Sequence, residues 1–183
     1  MDKIKVFALM GKSASGKDTI MQEVLKCTSC FNEIISCTSR PKRDYEINGK
    51  NYHFLTEEEF LKDIEEEKFI EFTAFNGWLY GTRIDCLSKD RINIGVFNPA
   101  GIYALLEDDR IDLTVFYVEA SDKFRLIRQL SRENDPDIKE IFRRYNTDEQ
   151  DFKNYNLDFE YFRVENNNEE DFATAIGTII SFI

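Results

Sequence analysis

Long apolar runs are missing from this chain: nothing in its 183 residues approaches the roughly 20 apolar residues of a membrane-spanning helix. The N-terminal MDKIKVFALMG passes from a short apolar run straight into a glycine loop, without the cleavage site of a secretory leader. A cytoplasmic protein with no membrane contact is therefore expected. Basic residues are in deficit as well, with 24 Lys and Arg against 35 Asp and Glu and a formal net charge of −11. That sign excludes a protein that coats a nucleic-acid backbone, so a small anionic ligand would have to meet local clusters of Arg and Lys. Histidine is reduced to His53, which reads as structural. Cysteine is scarce: Cys27-Thr28-Ser29-Cys30 has the spacing of a redox pair or half a zinc site, but Cys37 and Cys86 supply no second pair of that kind. Reduced thiols of a cytosolic protein are expected. There is no internal repeat or low-complexity linker, and Asn166-Asn167-Asn168 reads as a loop before the last helix.

What remains is enough for one domain that buries about two thirds of its unfolded surface without a disulfide or structural metal. Runs rich in β-branched and aromatic residues predict strands at Lys5–Met10, Glu33–Cys37, Ile92–Phe97, Leu113–Val118 and Phe159–Val164. Helical patterns lie near Lys17–Lys26, Glu57–Glu66, Ala100–Asp108, Asp122–Arg132, Pro136–Asp151 and Glu169–Phe182. Strand alternating with helix implies a five-stranded parallel sheet covered on both faces. One segment breaks the rhythm, with a turn at Glu46–Lys50, an alternating Tyr52-His53-Phe54 strand, a helix and a further aromatic strand. It predicts a mixed α+β insertion over 37–83, leaving a core of 1–36, 84–125 and 146–183 and a helical lid at 126–145.

The stretch GKSASGKDT leaves the first strand and opens a helix, so its backbone N–H groups and the positive end of the helix can surround phosphate oxygens. Gly11, Lys12, Ser13, Ala14, Ser15, Gly16, Lys17, Asp18 and Thr19 are thus the candidate ATP-binding residues, with Lys17 reaching the β and γ phosphates. Asp18 stands where a Ser or Thr hydroxyl normally meets Mg²⁺, and Thr19 follows it.

A second cluster runs Ser36-Cys37-Thr38-Ser39-Arg40-Pro41-Lys42-Arg43, then Gly49-Lys50-Asn51-Tyr52-His53-Phe54, Phe69-Ile70-Glu71-Phe72 and Tyr80-Gly81-Thr82. With the phosphate loop before it, this order resembles the guanylate kinases from about Lys5 to the helix after Pro136. The resemblance implies a P-loop fold, ATP as phosphoryl donor, GMP as acceptor, dGMP as a further acceptor, and Mg²⁺. It implies that Arg40, Arg43, Tyr52 and Tyr80 hold the GMP phosphate while Ser36, Glu71 and Thr82 read guanine. Chemistry agrees: guanine presents N1–H and an amine side by side to one ionised carboxylate, and adenine offers no such pair. Guanidinium groups grip phosphate bidentately, which suits Arg40 and Arg43.

A third cluster, Arg128, Arg132 and Arg143-Arg144 around Glu133-Asn134-Asp135-Pro136, resembles the family's lid. A closing lid brings arginines onto the transferring group and excludes water. The expected catalytic set is Lys17, Arg43, Arg128, Arg132 and Arg144, although spacing alone does not rank Arg125, Arg143 and Arg144. No general base is needed, because an ionised phosphate acceptor requires alignment and charge stabilisation only.

Two departures stand out. Where the family carries Asp-x-Asp after its third strand, this chain has Val96 and Asn98, and an acid appears instead at Asp18. One reading is that a carboxylate has moved to the phosphate loop, where Asp18 would be a magnesium ligand; the other is that Asp18 only charges the first turn of its helix. Two alternatives to a guanylate kinase remain: a deoxynucleoside monophosphate kinase of different base preference, and a non-catalytic guanylate-kinase-like binding module. Oligomeric state is not written in the sequence.

Overall fold

The computed structural model describes residues 3–75, 77–131, 136–154 and 157–183. In chain order the elements are β1 (Ile4–Met10), α1 (Lys17–Cys27), β2 (Phe31–Glu33), β3 (Cys37–Thr38), β4 (His53–Phe54), α2 (Glu57–Glu65), β5 (Phe69–Phe75), β6 (Trp78–Arg83), β7 (Ile92–Val96), α3 (Pro99–Glu107), β8 (Ile111–Glu119), α4 (Asp122–Leu130), α5 (Ile138–Asn154), β9 (Phe162–Glu165) and α6 (Glu169–Ile180). Five strands form a parallel sheet in the order β2-β7-β1-β8-β9. The expected α/β class and five-stranded parallel sheet are therefore found.

Strand alternation divides the core into two faces. Phe7 and Leu9 of β1 pack with Ile20 and Val24 of α1 and Ile179 of α6, whereas Val6, Ala8 and Met10 pack with Ile102 and Leu105 of α3. Both faces of β1 are buried, so its sequence reads as a continuous apolar run. Parallel pairing also gathers the C-terminal ends of β1, β7 and β8 at one edge, where open α/β sheets place their ligand crevices.

The second sheet, β4-β3-β6-β5, pairs β3 parallel to β4 and the remaining neighbours antiparallel. It corrects one expected strand. Glu33–Cys37 is not a single element: Phe31–Glu33 ends the core sheet, and Cys37–Thr38 belongs to the second sheet. The β-branched pair Ile34-Ile35 hid the passage of the chain from one sheet to the other. The last strand likewise starts later than expected, at Phe162. Helix α2 begins in a reciprocal capping box between Thr56 and Glu59 and stacks Phe60 on Phe69 at 4.3 Å between ring centroids.

Asn93 is fully buried in β7 and satisfied on both sides of its amide. Its oxygen accepts from Ser88 N (2.7 Å) and Asn32 Nδ2 (2.8 Å), while Nδ2 donates to Ser88 O (2.8 Å) and Lys5 O (3.1 Å). Asn93→Asp would turn an oxygen toward two carbonyl oxygens and bury a charge. We expect a loss of about 3 kcal/mol or more in denaturant unfolding at pH 7, shrinking at acid pH as the new carboxyl becomes a donor.

Candidate active site

The phosphate loop joins the central strand to α1, and its shape is imposed by close neighbours. A Cβ on Gly11 (φ 151°) would lie 2.2 Å from the Val118 carbonyl oxygen, and one on Gly16 (φ 96°) 2.2 Å from Asn166 Nδ2. Neither position has room for a side chain. The loop's carbonyl oxygens are held by side chains: Lys17 Nζ donates to Gly11 O (2.7 Å) and Lys12 O (3.1 Å), Arg125 Nε to Ser13 O (3.0 Å), and Asn166 Nδ2 to Ser15 O (2.8 Å). Arg128 donates to Ser15 O (3.2 Å) and to Asn166 O (2.7 Å). Helix α1 begins with N–H groups that have no intrahelical acceptor, and the buried Ser15 hydroxyl has no partner among the described residues. With its acceptors engaged, the loop is suited to an anion.

Asn166 lies in the loop before the last helix, as expected, and there it is a buried strut under the phosphate loop. Arg128 also belongs to this support, and desolvation lowers the pKa of its guanidinium. Arg132 lies outside the described residues. Arg125 is 1% exposed and ties three elements together. Besides Ser13 O it reaches Asp122 Oδ1 (2.9 Å) and Asp148 Oδ2 (2.7 Å), with its guanidinium 5.1 Å from the Tyr145 ring centroid. Asp148 in turn accepts from Ser13 N (2.7 Å) and Ser13 Oγ (3.0 Å), and Glu149 pairs with Lys12. The sequence analysis passed over Asp148: an acid one helical turn past Arg144 is an ordinary surface pattern, and only tertiary packing places it on the loop.

On the second sheet, Glu71 and Thr82 face each other across β5 and β6. The buried Thr82 hydroxyl donates to Glu71 Oε1 (2.7 Å) and lies 3.3 Å from Ser36 Oγ. Ser36, Glu71 and Thr82 thus form one hydrogen-bonded chain. Burial pushes the Glu71 carboxyl up, and the hydrogen bonds from Thr82 only partly oppose this. Asn98, at a position where an acid was expected, accepts from Gly101 N (2.8 Å) and caps α3.

Arg40, Tyr52 and Tyr80 also meet: the tyrosine ring centroids are 6.0 Å apart, and the Arg40 guanidinium lies 5.8 Å from that of Tyr52. Glu46, not singled out from the sequence, organises this corner by accepting from Arg40 Nη2 (2.7 Å) and Arg43 N (2.8 Å). The Arg40 guanidinium beside it holds its carboxyl below the usual range. Arg40, Arg43, Tyr80, Arg143 and Arg144 line one cavity of about 460 Å³ that reaches Ser13 and Asp148. Glu140 on its wall binds both Arg143 (2.6 Å) and Arg144 (2.8 Å), and they hold its carboxyl at about 2. Lys12, Ser15, Tyr117, Arg125 and Asn167 lie on a separate cavity of about 480 Å³.

A parallel sheet with a phosphate loop at the C-terminal end of its central strand, flanked by two cavities, defines a P-loop α/β protein. The guanylate kinase family model matches residues 3–181, and the chain belongs to that family. It is 31% identical to a guanylate kinase of Wigglesworthia glossinidia brevipalpis over 188 residues, covering 98% of this chain and 88% of that one. A stretch of 80 residues, 44% of this chain, is 48% identical to a guanylate kinase of Thermotoga maritima but spans only 39% of that relative's length. The crystal structure of guanylate kinase from Anaplasma phagocytophilum superposes with a TM-score of 0.64, covering 100% of this chain and 87% of that one. At 19% identity, that likeness concerns the fold.

Removing the Asp148 carboxylate would leave Arg125 buried with one fewer counter-charge and Ser13 N–H without its acceptor. Asp148→Ala is expected to cost about 3 kcal/mol, the scale for breaking a buried ion pair, and thermal unfolding with and without ATP checks it. Added ATP should recover part of the loss.

Proposed function

We propose that this chain transfers the γ-phosphoryl group of ATP to GMP, giving ADP and GDP, and that it also accepts dGMP. The observation that carries the reading is the chain Ser36–Thr82–Glu71 on the same sheet as Tyr80, which lines the arginine cavity at the phosphate loop. In this reading Glu71 accepts from guanine N1–H and the exocyclic amine, and Ser36 and Thr82 turn their hydroxyls to O6. Arg40, Arg43, Tyr52 and Tyr80 hold the acceptor phosphate.

The donor lies along Gly11–Thr19, its base toward the cavity of Tyr117 and Asn167 and its γ-phosphate toward the arginines. Lys17 follows the β and γ phosphates. Arg43 and Arg144 stabilise the charge that develops on the transferring group, with Arg143 beside them. Arg128 acts through the loop it supports, and Arg132 is assigned to the lid. Because the acceptor oxygen is already ionised, these residues align and neutralise charge, and no side chain takes up a proton.

Mg²⁺ is the cofactor of this reading. Asp18 is exposed on the first turn of α1 and shares a cavity of about 260 Å³ with Ser36, Tyr52 and Val96, so the acid gained and the acid lost face one space. Among the described residues no three acidic, histidine or cysteine groups gather. One carboxylate fits a hard dication that fills its other positions with phosphate oxygens and water. The ion would neutralise phosphate charge. Asp18→Asn should therefore raise the Mg²⁺ concentration at half-maximal rate several-fold with little change in GMP affinity. An unchanged magnesium dependence, with lowered thermal stability, would assign Asp18 to the helix terminus alone.

A coupled assay with ATP and a panel of GMP, dGMP, AMP, CMP, UMP and dTMP tests the reaction. GMP should be the fastest acceptor, and faster turnover of AMP or dTMP would overturn the proposal. Glu71→Gln should lose about 2 to 3 kcal/mol in kcat/KM for GMP, since the amide presents a donor to guanine's donor edge. The ionised form of Glu71 does the binding, and its carboxyl is raised by burial. The KM for GMP should then climb as pH falls toward that raised value, earlier than for an ordinary carboxylate, and level off above it. Glu71→Gln should lack this acidic limb.

A further inference from the structure

One carboxylate near these cavities has no task in the reading above. Asp151 lies on α5, one turn beyond Asp148, and is half-buried. It has no hydrogen bond or ion pair to another described residue. It lines a cavity of about 450 Å³ together with Thr73, Tyr80, Asn98 and Thr147. Of its neighbours, the Thr147 hydroxyl donates to Arg143 O (3.0 Å) and not to Asp151. Burial, and then the charge of Asp148, push the Asp151 carboxyl up. A half-buried carboxylate with no side chain bonded to it can exchange its water for the hydroxyl donors of a ligand in the cavity.

The position of the cavity says which donors are available. Tyr80 borders both this cavity and the arginine cavity. Thr73 stands two residues along β5 from Glu71, on the same face of the strand. A nucleoside monophosphate with its base on Glu71 and its phosphate at Tyr80 must pass its sugar between those points, beside Thr73 and Asn98 and opposite Asp151. A ribose carries two neighbouring hydroxyls, each a donor, and a carboxylate can accept from both with its two oxygens.

We propose that Asp151 is the residue that reads the acceptor's sugar, accepting from the 2′ and 3′ hydroxyls and so favouring GMP over dGMP. The inference rests on GMP being the acceptor. It gives the site a carboxylate on the acceptor that the end of β7, with Val96 and Asn98, does not supply. The preference comes from leaving one oxygen of a half-buried carboxylate without its donor when the 2′ hydroxyl is missing.

The test compares wild type, Asp151→Asn and Asp151→Ala with GMP and dGMP at saturating ATP, reading kcat and KM, alongside calorimetric binding of both nucleotides to the full chain. Wild type should bind GMP more tightly than dGMP. Asp151→Ala should raise the KM for GMP about tenfold and that for dGMP about twofold or less, with kcat nearly constant, so that the preference collapses. Asp151→Asn, close in shape and able to accept one of the two hydrogen bonds, should fall between them and covers the case in which the alanine variant does not fold. Equal changes for the two nucleotides, an unchanged ratio, or a raised magnesium requirement in their place would overturn the proposal. If binding shows the preference and its loss while no phosphoryl group is transferred, the kinase reading fails and the sugar-reading role stands.

Discussion

A phosphate loop must turn its amides toward a ligand and its carbonyl oxygens away, and those oxygens need donors of their own once buried. Here Lys17, Arg125, Arg128 and Asn166 supply them. Three come from segments distant in sequence, so the loop is only as ordered as the packing of α4, α5 and the β9–α6 connection upon it. Gly11 and Gly16 follow from the same constraint: the backbone is drawn so close to Val118 and Asn166 that a Cβ cannot fit. The long-range parallel pairing of β1 with β8 and of β8 with β9 thereby serves the site directly.

The second sheet solves the opposite problem, the burial of a negative charge. Glu71 faces Thr82 across an antiparallel pair, with Ser36 beside it, and the hydroxyls restrain the carboxylate without neutralising it. A lysine or arginine in that place would stabilise the charge further and would also occupy the oxygens that guanine is proposed to use. Glu71 is left raised and available, whereas Glu46 and Glu140, which hold arginines, are lowered. The direction of each shift follows the partner: burial beside a hydroxyl raises the carboxyl, and a guanidinium lowers it.

Much of this was legible from local pattern. The strand–glycine loop–helix passage and the alternation of strands and helices are readable within short windows, whereas Ser36, Arg40, Arg43, Tyr52, Glu71, Tyr80 and Thr82 were marked by the resemblance to the guanylate kinases; Ser36, Glu71 and Thr82 do come together. What escaped was tertiary. An asparagine tract reads as loop because asparagine favours loops, yet Asn166 is chosen for what its amide meets across the sheet. Asp148, Glu46 and Asp151 are three of 35 acids in a chain of 183 residues. Their spacing carries no mark of which arginine, or which empty cavity, each will face. The split of Glu33–Cys37 was hidden for a related reason: the β-branched pair Ile34-Ile35 suits a strand and a partly buried crossover between sheets equally well.

The surplus of acid bears on how the site would work. Arg40 is held by Glu46, Arg144 by Glu140, and Arg125 by Asp122 and Asp148. A phosphate entering the arginine cavity would therefore exchange places with carboxylates at Arg40, Arg143 and Arg144, whereas the Arg43 guanidinium, bonded to the Tyr45 hydroxyl, forms no ion pair among the described residues. Such exchange lowers the gain from any single contact but leaves the guanidinium groups oriented beforehand, which reduces the side-chain entropy lost on binding. Glu140 is the shared partner of Arg143 and Arg144, so a phosphate that drew either guanidinium away would have to compete with its carboxylate.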